Sequence, residues 1–322
     1  ICGACGTAPE PPPPPRFHKP RRSRGGLVAL LAVVALLIGG GVWAGTSLTS
    51  GGGAGGTNTP SPTGPVPLYG ENVDLTKELK PGDCVSAVWG QGKLKGEPTS
   101  VGLVDCVKQE AKVDGQVLKT DPATSLDDAK SNGAGRCAAL LNDTVRGMAE
   151  AQSYALVPNE QGWDGGVHST ACLIFDRTVA LYGPVGSFRH VGDDANFTNN
   201  SVGDCINEKP GSGDTVYLYL ADCAAAHTEQ VVGFVKAPGT LTYTALTNGG
   251  EASKLCSNKY SATYVKDPNE DLYGWINDED WKGGFRYVMC TVYRTDGKKL
   301  TGDVTSPVSF SGFSSGVFGL AP

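Results

Sequence analysis

Pro81-Gly82-Asp83-Cys84-Val85 and Val202-Gly203-Asp204-Cys205-Ile206 are two versions of one short phrase, and each is followed by similar residues at nearly the same spacing. After Cys84 come Cys106, Cys137 and Cys172, at steps of 22, 31 and 35 residues. After Cys205 come Cys223, Cys256 and Cys290, at steps of 18, 33 and 34. Leu103-Val104-Asp105-Cys106 answers Leu220-Ala221-Asp222-Cys223. Trp163-Asp164-Gly165-Gly166 begins nine positions ahead of Cys172, as Trp281-Lys282-Gly283-Gly284 begins nine ahead of Cys290. Landmarks in one order at one spacing predict a tandem duplication: a first repeat over 70–176, a linker over 177–194, a second repeat over 195–298 and a tail over 299–322.

Eight cysteines in such an arrangement read as a disulfide framework of an oxidising compartment. No CxxC or HxxxH spacing occurs among them, so no zinc or other cofactor is expected in this region. Closure inside each repeat leaves about three pairings per repeat. The favoured set is Cys84–Cys106 with Cys137–Cys172, and Cys205–Cys223 with Cys256–Cys290. The first bond of each set would tie neighbouring strands and the second a helix to a late strand, each loop of roughly 20–35 residues adding about 3–4 kcal/mol.

Within the repeats, Ser100–Val107, Asp214–Leu220 and His227–Val235 carry the β-branched and aromatic residues of strands. Ala138, Leu140, Leu141 and Val145 after Cys137, and Lys254, Leu255 and Tyr260 around Cys256, have helical spacing. Thr170–Phe175 and Tyr287–Tyr293 read as closing strands. The expected fold class is α+β: two tandem disulfide-stapled small domains behind a single transmembrane helix.

That helix is expected at 25–46, where Leu27 to Trp43 is apolar and no charge occurs between Arg24 and Glu71. Its length approaches the ~20 residues needed to cross a bilayer. Arg16, Lys19, Arg21, Arg22 and Arg24 precede it against Glu10 alone, so the tail at 1–24 is placed in the cytoplasm and the later chain outside the plasma membrane. The overall charge of −6 therefore understates the acidity of the later chain, which argues against nucleic acid as a partner. Cys2 and Cys5 form a CxxCG knuckle, half of a zinc site, and Pro11–Pro15 a polyproline rod. Residues 47–69, rich in Gly, Ser, Thr and Pro, read as a stalk.

The phrases Gly203-Asp204-Cys205, Asp222-Cys223 and His227 resemble the septum formation domain family of actinobacterial membrane proteins. Its members carry a GDC turn, a DC-type strand end and a His-x-x-Glu-Val stretch. Here Gln230 stands at the family's Glu, with Glu229 one place early, and the first repeat has Glu110 where the second has His227. The resemblance spans roughly 78–295 and implies an envelope role in septation or cell division, with no reaction attached.

Candidate chemistry is sparse. His227 and Glu229, two apart on an expected strand, would share a face and could act as ligand contacts or an acid/base pair; capping a strand end is the structural alternative. Trp163 and Trp281 could offer aromatic platforms or serve as packing elements beside the disulfides. Gly312-Phe313-Ser314-Ser315-Gly316 satisfies GxSxG, but no Asp, Glu or His follows it, so it reads as tail. The leading expectation is a non-catalytic, membrane-anchored envelope protein binding a protein or cell-wall partner. A wall-sensing signal transducer is the alternative, and a wall-acting enzyme using His227 and Glu229 a third.

Overall fold

The computed structural model describes Phe17, His18 and residues 78–106, 113–212 and 215–305. The Cys2/Cys5 knuckle, the apolar segment 25–46, the stalk and the GxSxG pattern lie outside these residues. Among the described residues no helix is long and apolar enough to cross a membrane, and no group of three His, Cys, Asp or Glu side chains could hold a metal ion.

The first half of the described chain forms β2 (Cys84–Trp89), β3 (Pro98–Val104), β4 (Gly115–Pro122), α1 (Leu126–Gly147), β5 (Ala151–Leu156), α2 (Glu160–Asp164) and β6 (Ser169–Asp176). The second half forms β7 (Cys205–Pro210), β8 (Thr215–Ala221), β9 (Glu229–Lys236), α3 (Tyr243–Asn248), α4 (Glu251–Tyr264), β10 (Glu270–Trp275), α5 (Asp278–Gly283) and β11 (Tyr287–Arg294). Every strand pair is antiparallel. One sheet runs β3-β2-β4-β6-β5 and the other β8-β7-β9-β11-β10, so both follow one strand order. A two-residue strand, β1 (Phe17–His18), pairs with Val216 and Thr215 at the outer edge of β8.

The alternating strands bury both faces. Along β6, Ala171, Leu173 and Phe175 enter a core with Val85, Val101 and Val117, while Cys172 and Ile174 meet Cys137 and Leu141 of α1. In the second unit Met289 joins Ile206, Leu218 and Trp275, whereas Val288, Cys290 and Val292 face Ala252 and Cys256 of α4. Helix α1 begins at Ser125, whose hydroxyl accepts the Asp128 amide, and Asp127 and Asp128 complement the positive end of its dipole. Its buried residues Ala129, Gly133, Cys137 and Leu141 repeat every fourth position and make one narrow stripe. Close approach is built differently in each unit. A Cβ on Gly133 of α1 would lie 2.6 Å from the Thr170 hydroxyl, whereas in the second unit the strand gives way, a Cβ on Gly274 falling 2.4 Å from the Ala252 carbonyl carbon.

All four favoured disulfides form: Cys84–Cys106, Cys137–Cys172, Cys205–Cys223 and Cys256–Cys290. The first of each set bonds the start of a unit's first strand to the chain just past its neighbour, and the second bonds helix to last strand. The strand expected from His227 begins instead at Glu229, and His227 pairs outside the ladder, in an isolated bridge to Leu300.

Candidate functional site

The GDC phrase is a turn with a defined mechanical role. Gly82 and Gly203 adopt φ of 98° and 99°, in the left-handed region open to glycine, and their amides bond the Val117 and Val231 carbonyls at 2.8 Å. The following aspartates close the turn by accepting the Lys80 and Ser201 amides. The turn carbonyl of each unit then receives a buried glutamine: Gln116 Nε2 donates to Gly82 at 3.1 Å, and Gln230 Nε2 to Gly203 at 2.9 Å. The other end of each amide, Oε1, accepts a backbone amide from a segment returning after the last strand, Val185 in one unit and Val304 in the other, both at 2.7 Å. A carboxamide donates from one end and accepts at the other without any change of protonation, which an ionised carboxylate cannot do.

The returning segments match as well. Leu181-Tyr182-Gly183-Pro184-Val185 and Leu300-Thr301-Gly302-Asp303-Val304 share Leu, Gly and Val at the same offsets. Leu181 bridges to Val113 as Leu300 bridges to His227. The counterpart of His227 is therefore Val113, not Glu110, because the chain after Cys106 takes three more residues to reach its strand. The register puts Gly115 opposite Phe175 and Glu229 opposite Tyr293, so Gly115 is the counterpart of Glu229.

His227 is wholly buried. Its Nδ1 lies 2.9 Å from the Ala225 carbonyl, which can only accept, so that nitrogen carries a hydrogen, and Nε2 has no partner. Glu229 is also buried, and no hydrogen bond joins it to His227. One of its oxygens accepts the Trp275 indole N–H and the Thr291 hydroxyl, both at 2.6 Å. Burial, with the hydrogen-bonded and negatively charged Glu208 adding to it, pushes the Glu229 carboxyl up to about 8, against the opposing Thr291 and Trp275 bonds. Glu208 is the residue that sequence reasoning missed. Alternation along β7 puts Ile206 and Glu208 on the face that Glu229 shares, a pairing hidden until the register of β7 against β9 is known.

Two carboxyls with separated proton affinities are the usual equipment of glycoside hydrolysis, but such pairs stand roughly 5–9.5 Å apart to admit the sugar or a water. Glu208 and Glu229 are hydrogen-bonded to each other, and Glu229 is sealed by Trp275 and Thr291.

The tryptophans are dressed alike. Trp163 on α2 is half-buried and lies under the His168 ring, with centroids 4.4 Å apart, and His168 Nε2 is 3.1 Å from the Trp163 carbonyl. Trp281 on α5 carries the Arg286 guanidinium 4.1 Å above its ring, and Arg286 also donates to the Trp281 carbonyl. In each unit the residue five places on covers one ring face, which favours the packing role over an open platform.

Against known proteins, residues 81–290, more than half of the chain, match a family model described as septum formation. No curated protein and no solved structure matches the chain.

Proposed function

The chain belongs to the septum formation family, and from that premise we propose a non-catalytic envelope protein, anchored in the plasma membrane by 25–46, whose two units bind a protein or cell-wall partner during septation. We read the units as two copies of one ancestral domain. The shared strand order, the equivalent disulfides and the twin glutamine clamps support that reading.

The observation that carries the proposal is the set of four disulfides closed inside a family domain linked to cell division, since such bonds persist outside the cytoplasm. The two candidate catalytic side chains are both engaged internally, Glu229 by core donors and His227 by the chain beside it. An anchor over 25–46 with the tail inside the cell excludes the β1–β8 pair, because Phe17 and Thr215 would lie on opposite sides of the bilayer. The charge pattern around the apolar segment supports the anchor over that pair.

A fluorescent fusion of the full chain in dividing cells tests the proposal. Enrichment at midcell together with protease access to the disulfide-bonded region from outside is expected. Uniform peripheral signal refutes the septal role, and protection of that region refutes the topology.

A further inference from the structure

Asp280 occupies a place where the first unit has a glycine. Counting from the helix caps Asn159 and Asn277, whose side chains accept the Gly162 amide and the Glu279 and Asp280 amides, Gly162 is its counterpart. Nothing in the repeated element requires a carboxyl there, yet the Asp280 side chain is buried, with 3% of the residue exposed, and its Oδ1 has no partner. Asp176, the last residue of β6, is fully buried. Its Oδ1 accepts the Thr178 and Val179 amides at 2.8 and 2.9 Å, while Oδ2 has no partner. The counterpart of Asp176 in the second unit is the cation Arg294.

Helix α5 and the chain leaving β6 are pressed together: a Cβ on Gly283 would come within 2.8 Å of the Val179 side chain, and one on Gly284 within 3.0 Å of Thr178. Val179 packs into the core that holds Trp275, Phe285 and Met289, so this contact fastens the end of the first unit to the second. The charged and titratable groups facing it come from every neighbouring element. Lys93, from the β2–β3 connection, donates to the Val179 carbonyl and attracts Asp176. Glu150, ahead of β5, repels Asp176 and is itself 3.9 Å from Lys236 of β9. Glu279 beside Asp280, and the Tyr182 phenol, complete the set. Two cations, Lys93, which also lies 3.9 Å from Asp114, and Lys236, therefore stand against the carboxyls of Asp176, Asp280, Glu150 and Glu279.

We propose that the contact between α5 and the chain after β6 is a proton-operated latch, closed while Asp176 and Asp280 together hold a proton and loosened once both are ionised. Two unpartnered oxygens from carboxyls this deeply buried leave the proton as the ligand that relieves the contact, since ionising both places like charges in a dry junction. The electrostatics agree in direction. Burial first, then the Asp176 charge and Glu279, pushes Asp280 up to about 7; burial pushes Asp176 up to about 6 despite the Val179 and Thr178 amides and Lys93. Because the closed form keeps protons that an opened, solvated form has released, closure is favoured at low pH, weakens progressively as pH rises from about 4, and has lost this contribution above about 7.

Hydrogen exchange of the full, oxidised chain between pH 5 and 8, corrected for the intrinsic pH dependence of exchange, reads the latch directly. Peptides covering 176–182 and 278–285 should show an opening constant rising about tenfold per pH unit for each proton released, levelling above neutrality. D280N should flatten that rise while peptides from β2 to β4 are unmoved. Equal protection across the range in the unaltered chain, or an undiminished rise in D280N, overturns the proposal. Should the variant not fold, a 13C carboxyl titration of the unaltered chain decides: one of the two must titrate above about 6, and full ionisation of both by pH 5 overturns it.

Discussion

Replacing Glu229 by glutamine should make the protein more stable at alkaline pH, although it deletes a side chain that accepts two core hydrogen bonds. The carboxyl is buried, accepts the Trp275 indole and the Thr291 hydroxyl, and is raised from 4.5 to about 8 by burial and by Glu208. Between those values the folded chain holds a proton that the unfolded chain has lost, so stability falls as pH climbs from about 4.5 to about 8 and is flat beyond. At about 1.4 kcal/mol per pH unit, the accumulated loss at the alkaline end is on the order of 5 kcal/mol. A glutamine keeps the acceptor for Trp275 and Thr291, offers an N–H to Glu208, and cannot ionise. Urea unfolding of oxidised protein, followed by tryptophan fluorescence at pH 5, 6, 7 and 8, gives the difference between E229Q and the unaltered chain. That difference should be near zero at pH 5 and reach several kcal/mol at pH 8, and taking it cancels the contribution of Asp176 and Asp280, which has the same sign. A difference that does not change with pH would refute the argument.

Gln230→Glu and Gln116→Glu should each cost about 1–3 kcal/mol at neutral pH, because a carboxylate cannot donate to the Gly203 or Gly82 carbonyl; urea midpoints measure it, and an unchanged midpoint counts against the clamp. Converting Cys256 and Cys290 together to alanine should lower stability by about 2–5 kcal/mol, seen as a fall in melting temperature. His227→Val, which copies Val113, should be neutral or stabilising by thermal melting, since it removes a buried nitrogen with no partner; a loss above about 3 kcal/mol would show that the imidazole holds something. Ser125→Ala should cost about 0.5–2 kcal/mol by removing the cap of α1.

The disulfide pairing and the α+β class were legible because cysteine spacing survives where other residues drift. Strand positions came through within a residue or two where β-branched residues alternate, as at β8 and β11. What stayed hidden depends on register. Gln116 and Gln230 look like ordinary polar positions in a strand, and only pairing with the GDC turn shows that each has three partners in the backbone and the disulfide. His227 and Glu229 are two apart and suggested a shared face, but the regular ladder of β9 starts only at Glu229, so alternation does not carry back to the histidine. Asp176 and Asp280, whose charges repel, are more than a hundred positions apart, and no local pattern announces that they act on one junction.

The returning segments set where the protein can be cut and when it can fold. Residues 299–305 read as tail, yet a chain ending at 298 would lose Leu300 and Val304, leaving the Gln230 side-chain Oε1 and the His227 backbone without these partners. Such a truncation should melt at a lower temperature than the unaltered chain. The same dependence orders completion along the chain: the first unit stays unfinished until Val185 docks on Gln116, and the second until Val304 docks on Gln230, which follows all four of its cysteines in sequence.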